Sequence, residues 1–339
     1  LEEAAAALHA LIWAPLQEVV AEASFVYVVP DGPLATVPFA ALPGRAEGSF
    51  LCDQHPIGYL AHPQDLIPWP DLAPLGKGAL TLGGVDYDRA INETPEGFEE
   101  LEVRGRVTLA EAFAKAPGGM RFAPLLGTLL EAESARDYYA SVTGEDARLL
   151  YGPWATEAHL RRYAPGRRLL HLATHGFVRL DLADRVDEGA RLDPLVLTGL
   201  ALAGSNRASG GGGDDGVLTA LEATQLDLEG VQLVILSACE TARGSTRAGE
   251  AILGLTSAFR EAGAGSVLSS LWPVSDQVTA LLMELFYGFV LDEHLPPPVA
   301  LQRAALTLRD MEVEYEGETL RPFEAPCYWA PFVPYGRWR

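Results

Sequence analysis

The chain has 339 residues, 48% of them hydrophobic, and a formal net charge of −21. That is length for one large or two ordinary domains with a full core, and an apolar content that excludes a disordered chain. No apolar run approaches the roughly 20 residues of a membrane helix, no basic-then-apolar leader is present, and the acid excess argues against direct contact with nucleic acid or anionic membrane, where phosphate groups call for clustered Lys and Arg.

Residues 2–22 carry Leu8, Leu11, Ile12, Leu16 and Val19 at helical spacing, and 25–29 reads as a strand closed by Pro30-Asp31-Gly32. Cys52 and His55 fall in a loop-like stretch containing proline and are read as structural. Strands are expected at 79–85 and 147–151. The Gly, Pro and Glu-rich stretch 83–119 between them is read as a surface insertion with one helix near 109–115. A helix at 131–143 leads into a second half that runs helix 155–163, strand 168–175, strand 231–239 and helix 249–262, the last with Ile252, Leu255 and Phe259 on one face. Strand 266–272 follows, then a helix over 276–291 capped by Ser275, a helix opened by Pro298, and a final strand at the Trp329 segment. Two loops stand out. Residues 203–216 hold six glycines with Ser, Asn and Asp, a composition that stays flexible, and 241–249 carries Arg243 and Arg247.

The chemistry gathers at two strand ends. Leu-Leu-His-Leu-Ala-Thr-His-Gly closes at His175-Gly176, and an apolar run from Val231 closes at Ser237-Ala238-Cys239. Short Leu, Val and Ile-rich runs of this kind read as buried parallel strands, whose carboxyl-end loops form the ligand crevice of an α/β sheet. A lone Cys there is ordinarily a small buried hydrophobe and a lone His ordinarily a hydrogen-bonded structural residue. Delivered together to one cleft, they are a thiol nucleophile and its base. Gly176 permits a close backbone approach, and the backbone N–H groups of Gly176 and Cys239 are the natural pair of oxyanion donors. What orients His175 is not legible. A metal shared by His171 and His175 is rejected, because four strand residues separate them by roughly 13 Å and Leu172 stands where a helical zinc signature needs Glu. His171 is then a packed strand residue, and neither a metal nor a cofactor is expected. Three cysteines, Cys52, Cys239 and Cys327, argue against a disulfide framework and for a reducing compartment, read as the cytoplasm.

His-Leu-Ala-Thr-His-Gly at 171–176, Leu-Ser-Ala-Cys-Glu-Thr at 236–241 and Ser-Leu-Trp-Pro-Val-Ser-Asp at 270–276 resemble the hallmark segments of the CHAT domain, a caspase-like cysteine peptidase family of the clan of separase, clostripain and caspases. Val28-Val29-Pro30-Asp31-Gly32, Val37-Pro38-Phe39, Asp215-Gly216-Val217-Leu218-Thr219, Gly249-Glu250 and Tyr328-Trp329-Ala330-Pro331-Phe332 extend the resemblance in the family's order over most of the chain. It implies an α/β fold with a mostly parallel sheet flanked by helices, an N-terminal pseudo-peptidase half (1–150) packed on a catalytic half (151–339). It also implies a Cys239–His175 dyad lying on either side of the scissile bond.

The resemblance to separase puts a pocket-lining acid at Asp276, which favours Arg or Lys before the cut. A plain helix-terminal role for Asp276 stands beside that reading, as does an apolar preference. Asp214, Asp215 and Glu250 are weaker pocket candidates. The implied activity is a regulated endopeptidase acting on a protein partner, and the net charge suits a basic polypeptide or serves solubility alone. The alternative is an interaction or signalling scaffold with incidental catalysis. The chain starts at Leu1 and is read as a fragment, and in this family the missing region is often an upstream helical-repeat array or sensor.

Overall fold

Alternation along the strands sets the layers. The computed structural model describes residues 2–67, 74–89, 121–179, 194–207, 215–238, 248–272, 276–315 and 317–336. Among them an eight-stranded sheet takes β1 (Val26–Val28), β2 (Ile57–Tyr59), β3 (Ala79–Val85), β4 (Ala147–Gly152), β5 (Leu169–Ala173), β9 (Leu233–Ser237), β10 (Ser266–Ser270) and β13 (Phe332–Gly336). In β9, Val234 and Leu236 face one apolar layer while Leu233 and Ile235 face the other, and all four are buried. The first layer is closed by α5 (Ala248–Glu261) through Ile252, Leu255 and Phe259. The second is closed by α2 (Thr128–Thr143), α6 (Asp276–Tyr287) and α7 (Pro297–Arg309), through Tyr139, Leu282, Phe286, Leu301 and others. Sheets buried on both faces need apolar residues at successive positions, which is why these strands read as continuous Leu, Val and Ile runs.

The spatial order is β1-β2-β13-β10-β9-β5-β3-β4. Strands β4, β3, β5, β9 and β10 are mutually parallel, and β13 runs antiparallel to β10. Counted from β3, the parallel run has the doubly wound order 2-1-3-4-5, with its reversal between β3 and β5. The expected mostly parallel sheet flanked by helices is present, and strands from the first 150 residues share it with those of the remainder: β3 lies hydrogen-bonded beside β5. Packing at β3 is tight, since a Cβ on Gly83 would lie 2.0 Å from the carbonyl oxygen of Thr128 in the first turn of α2. Short α3 (Glu157–Tyr163) follows β4 and is capped by Thr156, whose Oγ1 accepts from the His159 N–H.

Several expectations shift. The first helix is only α1 (Glu2–Leu8), continued by a π-turn over His9–Trp13. That wider winding turns Leu11 off the expected stripe, so Leu8 and Ile12 pack on the core while Leu11 is 75% exposed; Val19, in the turns that follow, is 83% exposed. Trp329 belongs to a one-turn helix, α8 (Pro326–Trp329), begun by a proline at its first position, and the final strand starts only at Phe332. Residues 203–207, expected to be flexible, form a hydrogen-bonded turn in which the Gly204 and Asn206 N–H groups donate to Asp86 and Tyr87 carbonyls. The strand expected through His175 ends at Ala173. Beyond it β6 (Gly176–Val178) joins a separate antiparallel sheet with β7 (Thr198–Ala201) and β8 (Val217–Thr219), which leads into the single-turn α4 (Ala220–Ala223). A hairpin of β11 (Val313–Tyr315) and β12 (Glu318–Leu320) completes the described strands. The helix expected near 109–115 and the loop 241–247 lie outside the described residues. Among the described residues no helix is long and apolar enough to cross a membrane.

Candidate active site

His175 stands past the carboxyl end of β5, beside the point where the strand order reverses, and is 3% exposed. Its backbone is fixed first. The Ala201 N–H donates to the His175 carbonyl at 2.8 Å, and the Thr174 hydroxyl donates to the Ala201 carbonyl at 2.5 Å. Thr174 has one hydroxyl hydrogen, already given to Ala201, so the Tyr87 hydroxyl, 3.0 Å away, is the donor in the Tyr87–Thr174 bond. Tyr87 comes from the loop after β3, on the other side of the reversal.

The imidazole packs against two aromatic rings that also touch each other. Its centroid is 5.2 Å from that of Tyr87 and 5.4 Å from that of Phe122, both tilted, and Phe177 lies beyond Phe122 at 6.1 Å. At 2.7 Å the ring Nε2 meets the carbonyl oxygen of Ala123. A carbonyl only accepts, so Nε2 carries a proton, and in the neutral form of the ring the lone pair is on Nδ1. This backbone acceptor is the orienting group that residue types alone did not reveal.

The segment that supplies Ala123 is held by Asn206. The Phe122 N–H donates to Asn206 Oδ1 at 2.8 Å, and Asn206 Nδ2 donates to the Phe122 carbonyl at 2.9 Å and to Asp88 Oδ1 at 3.1 Å.

The other sequence candidates are placed unequally. Gly176 opens β6 opposite Leu200. Asp215 is exposed, and its Oδ1 accepts the Val217 N–H at 2.9 Å, at the entry to β8. Asp276 is the first residue of α6, and Glu250 lies in the first turn of α5. Cys239 and Asp214 lie outside the described residues. Of the sequence candidates, then, the described structure brings His175 and Gly176 together by chain adjacency. Tyr87, Phe122, Ala123 and Asn206 are the residues that sequence reading missed. Tyr87 had a signal, two residues past the carboxyl end of a strand. The other three lie next to stretches that gave no periodicity.

The remaining cysteines and the second histidine are accounted for elsewhere. Cys52 is buried, and burial pushes its thiol up to about 12, which keeps it protonated and unreactive at neutral pH. Cys327 is exposed, and its carbonyl accepts from Trp272 Nε1. His171 is fully buried on the layer opposite α5, with Nδ1 2.6 Å from the Tyr287 hydroxyl and Nε2 3.0 Å from Glu131 Oε1. It is the packed strand residue expected, held in a polar network between the sheet, α2 and α6.

Tetratricopeptide repeat protein 28 of Mus musculus is 32% identical over 120 residues, which is 35% of this chain and 4% of that protein. The crystal structure of the Saccharomyces cerevisiae separase–securin complex contains a chain that is 12% identical, with a TM-score of 0.47, over 93% of this chain and 15% of that one. This chain therefore spans only a small part of the length of either protein. The family model of the CHAT domain matches residues 2–337, and the chain belongs to the CHAT domain family.

Proposed function

We propose that the chain is a cysteine endopeptidase that cleaves a protein partner, with Cys239 as nucleophile and His175 as its base. The observation that carries this reading is the bond between His175 Nε2 and the Ala123 carbonyl, which leaves Nδ1 as the nitrogen that takes a proton. The strand register supports Cys239 as the partner. Ala173 in β5 is paired with Ser237 in β9, and His175 and Cys239 each follow by two residues.

In the first step His175 Nδ1 takes the Cys239 thiol proton and Sγ attacks the scissile carbonyl carbon. The new C–S bond pushes the carbonyl π pair onto oxygen, where the Gly176 and Cys239 N–H groups stabilise it. Collapse breaks the C–N bond, and the leaving amine takes the proton from His175. Water, deprotonated by the same imidazole, then attacks the thioester, releases the acid and restores the thiol. The rings of Tyr87 and Phe122 limit water around the imidazole, which strengthens each electrostatic contact there.

Asp276, with Asp214, Asp215 and Glu250 as secondary candidates, lines the pocket for the residue before the cut in this reading and selects Arg or Lys. The match to part of a tetratricopeptide repeat protein supports regulation by a helical-repeat region, and in this reading that region lies upstream and the chain acts on a protein partner in the cytoplasm. Incubation with a peptide library followed by mass spectrometry tests the activity, with Cys239→Ala as the control. The same match favours a second reading, an interaction scaffold with incidental catalysis. A folded chain that neither cleaves nor reacts at Cys239 decides for it.

A further inference from the structure

Asn206 binds three things that converge on one imidazole. Its backbone N–H donates to the Tyr87 carbonyl at 2.8 Å, and its side-chain amide binds both backbone groups of Phe122. Tyr87 and Phe122 are the two rings packed on His175, and the residue after Phe122 is Ala123, whose carbonyl takes the His175 Nε2 proton. The chemistry at Phe122 suits an amide. A backbone N–H must meet an acceptor and a backbone carbonyl must meet a donor, and a side-chain amide presents both on one planar group with the spacing of a peptide. That pairing also fixes which way the amide faces, and it leaves the second Nδ2 hydrogen pointing to Asp88.

We propose that Asn206 is a positioning residue for the catalytic base, which sets the place of the Ala123 carbonyl and so the tautomer and direction of His175. This deepens the role proposed for His175 and rests on it. Among the described residues Asn206 has no hydrogen bond to the imidazole, and it acts through Phe122 and Tyr87. An error of about 1 Å at a catalytic group costs on the order of 10²-fold in rate, so a shift of Ala123 of that size is enough to matter.

The test uses the full chain with 15N-labelled histidine. In the parent protein the His175 Nε2–H is expected as a downfield proton that exchanges slowly with water, because it is buried and bonded to Ala123. Asn206→Ala removes both links to Phe122. Asn206→Asp keeps the acceptor but loses both donors and places a carboxylate against Asp88. Both variants are expected to lose the slow Nε2–H signal, while the His171 signals, set by Glu131 and Tyr287, stay in place and show that the fold is intact. Against a cleavable peptide, kcat should fall by about 10²-fold with KM little changed. A protected Nε2–H in both folded variants overturns the proposal. The spectrum needs no turnover, so it reads the Asn206–His175 link even if the chain is not a peptidase. Failure of the peptidase reading would appear separately, as no cleavage by the parent.

Discussion

The carbonyl oxygen of Ala123 and Nε2 of His175 stand 2.7 Å apart although 52 residues separate them in the chain. A backbone acceptor has no protonation state of its own, so this bond fixes the imidazole tautomer without adding a second titrating group beside it. In the proposed dyad, the nucleophile and its base would depend on three separate strand ends: β3 through Tyr87, β5 through His175 and β9, after which Cys239 follows in sequence.

If Cys239 is the nucleophile, a chloromethyl-ketone peptide should label it alone. Cys52 is buried with its thiol pushed up to about 12, so it stays protonated at pH 7 to 8, and Cys327 is exposed without an adjacent base in the proposed mechanism. Peptide mapping of the labelled protein checks this. Cys239→Ala should abolish both label and cleavage and leave the thermal midpoint nearly unchanged, whereas label on Cys52 or Cys327 removes the assignment.

His171 and His175 should separate cleanly. His175→Ala should cost about 10²–10⁴ in kcat/KM while leaving the fold intact. His171→Ala strips a partner from buried Glu131 and Tyr287, and leaving a buried polar group unsatisfied costs about 1–3 kcal/mol. Urea unfolding set beside peptide kinetics distinguishes the two, and equal kinetic losses at equal stability would overturn the division.

The sheet and the two chemical strand ends were legible because buried parallel strands need continuous apolar runs, and 79–85 and 147–151 come out as β3 and β4 within a residue. His175 and Gly176 were legible as residues, but the end of β5 at Ala173 was not. The turn at Thr174 is fixed by hydrogen bonds to Ala201 and Tyr87, contacts that local sequence does not encode. Asn206 was hidden for a related reason. It sits in a glycine-rich stretch whose composition reads as flexible, yet its amide and N–H groups find partners in two distant segments. The exposed Leu11 and Val19 mark the opposite failure, in which helical spacing was present but the π-turn at His9–Trp13 turned Leu11 away from the core and the helix did not continue to Val19.

Tyr87 offers a test of the ring beside the base. Tyr87→Phe keeps the ring on His175 and loses the hydroxyl bond to Thr174, so it should cost about 1 kcal/mol in stability and alter kcat only a few-fold. Tyr87→Ala removes the ring as well and should reduce kcat well beyond the phenylalanine variant. Similar kcat values for the two variants, measured with one peptide substrate, would show that the ring contributes nothing to the base.

The pocket is the last point at issue, and it turns on Asp276. Asp276 opens α6 just beyond β10, the strand next to β9, so it belongs to the same carboxyl-end rim as His175. If its carboxylate meets the side chain before the cut, Arg or Lys pairs with it, while Asp or an apolar residue leaves a desolvated charge without a partner. That penalty is on the order of several kcal/mol, so the preference should be close to all-or-none rather than graded. Asp276→Asn should then depress cleavage after basic residues by a large factor and lower the folding free energy only by the few tenths of a kcal/mol up to about 1 kcal/mol that an acid at a helix N-terminus supplies. The measurement is a substrate profile of parent and variant on the same peptide library. A parent that cuts after Asp, or after apolar residues with no response to Asp276→Asn, would reduce Asp276 to a helix-terminal acid and move the pocket to other residues of the rim.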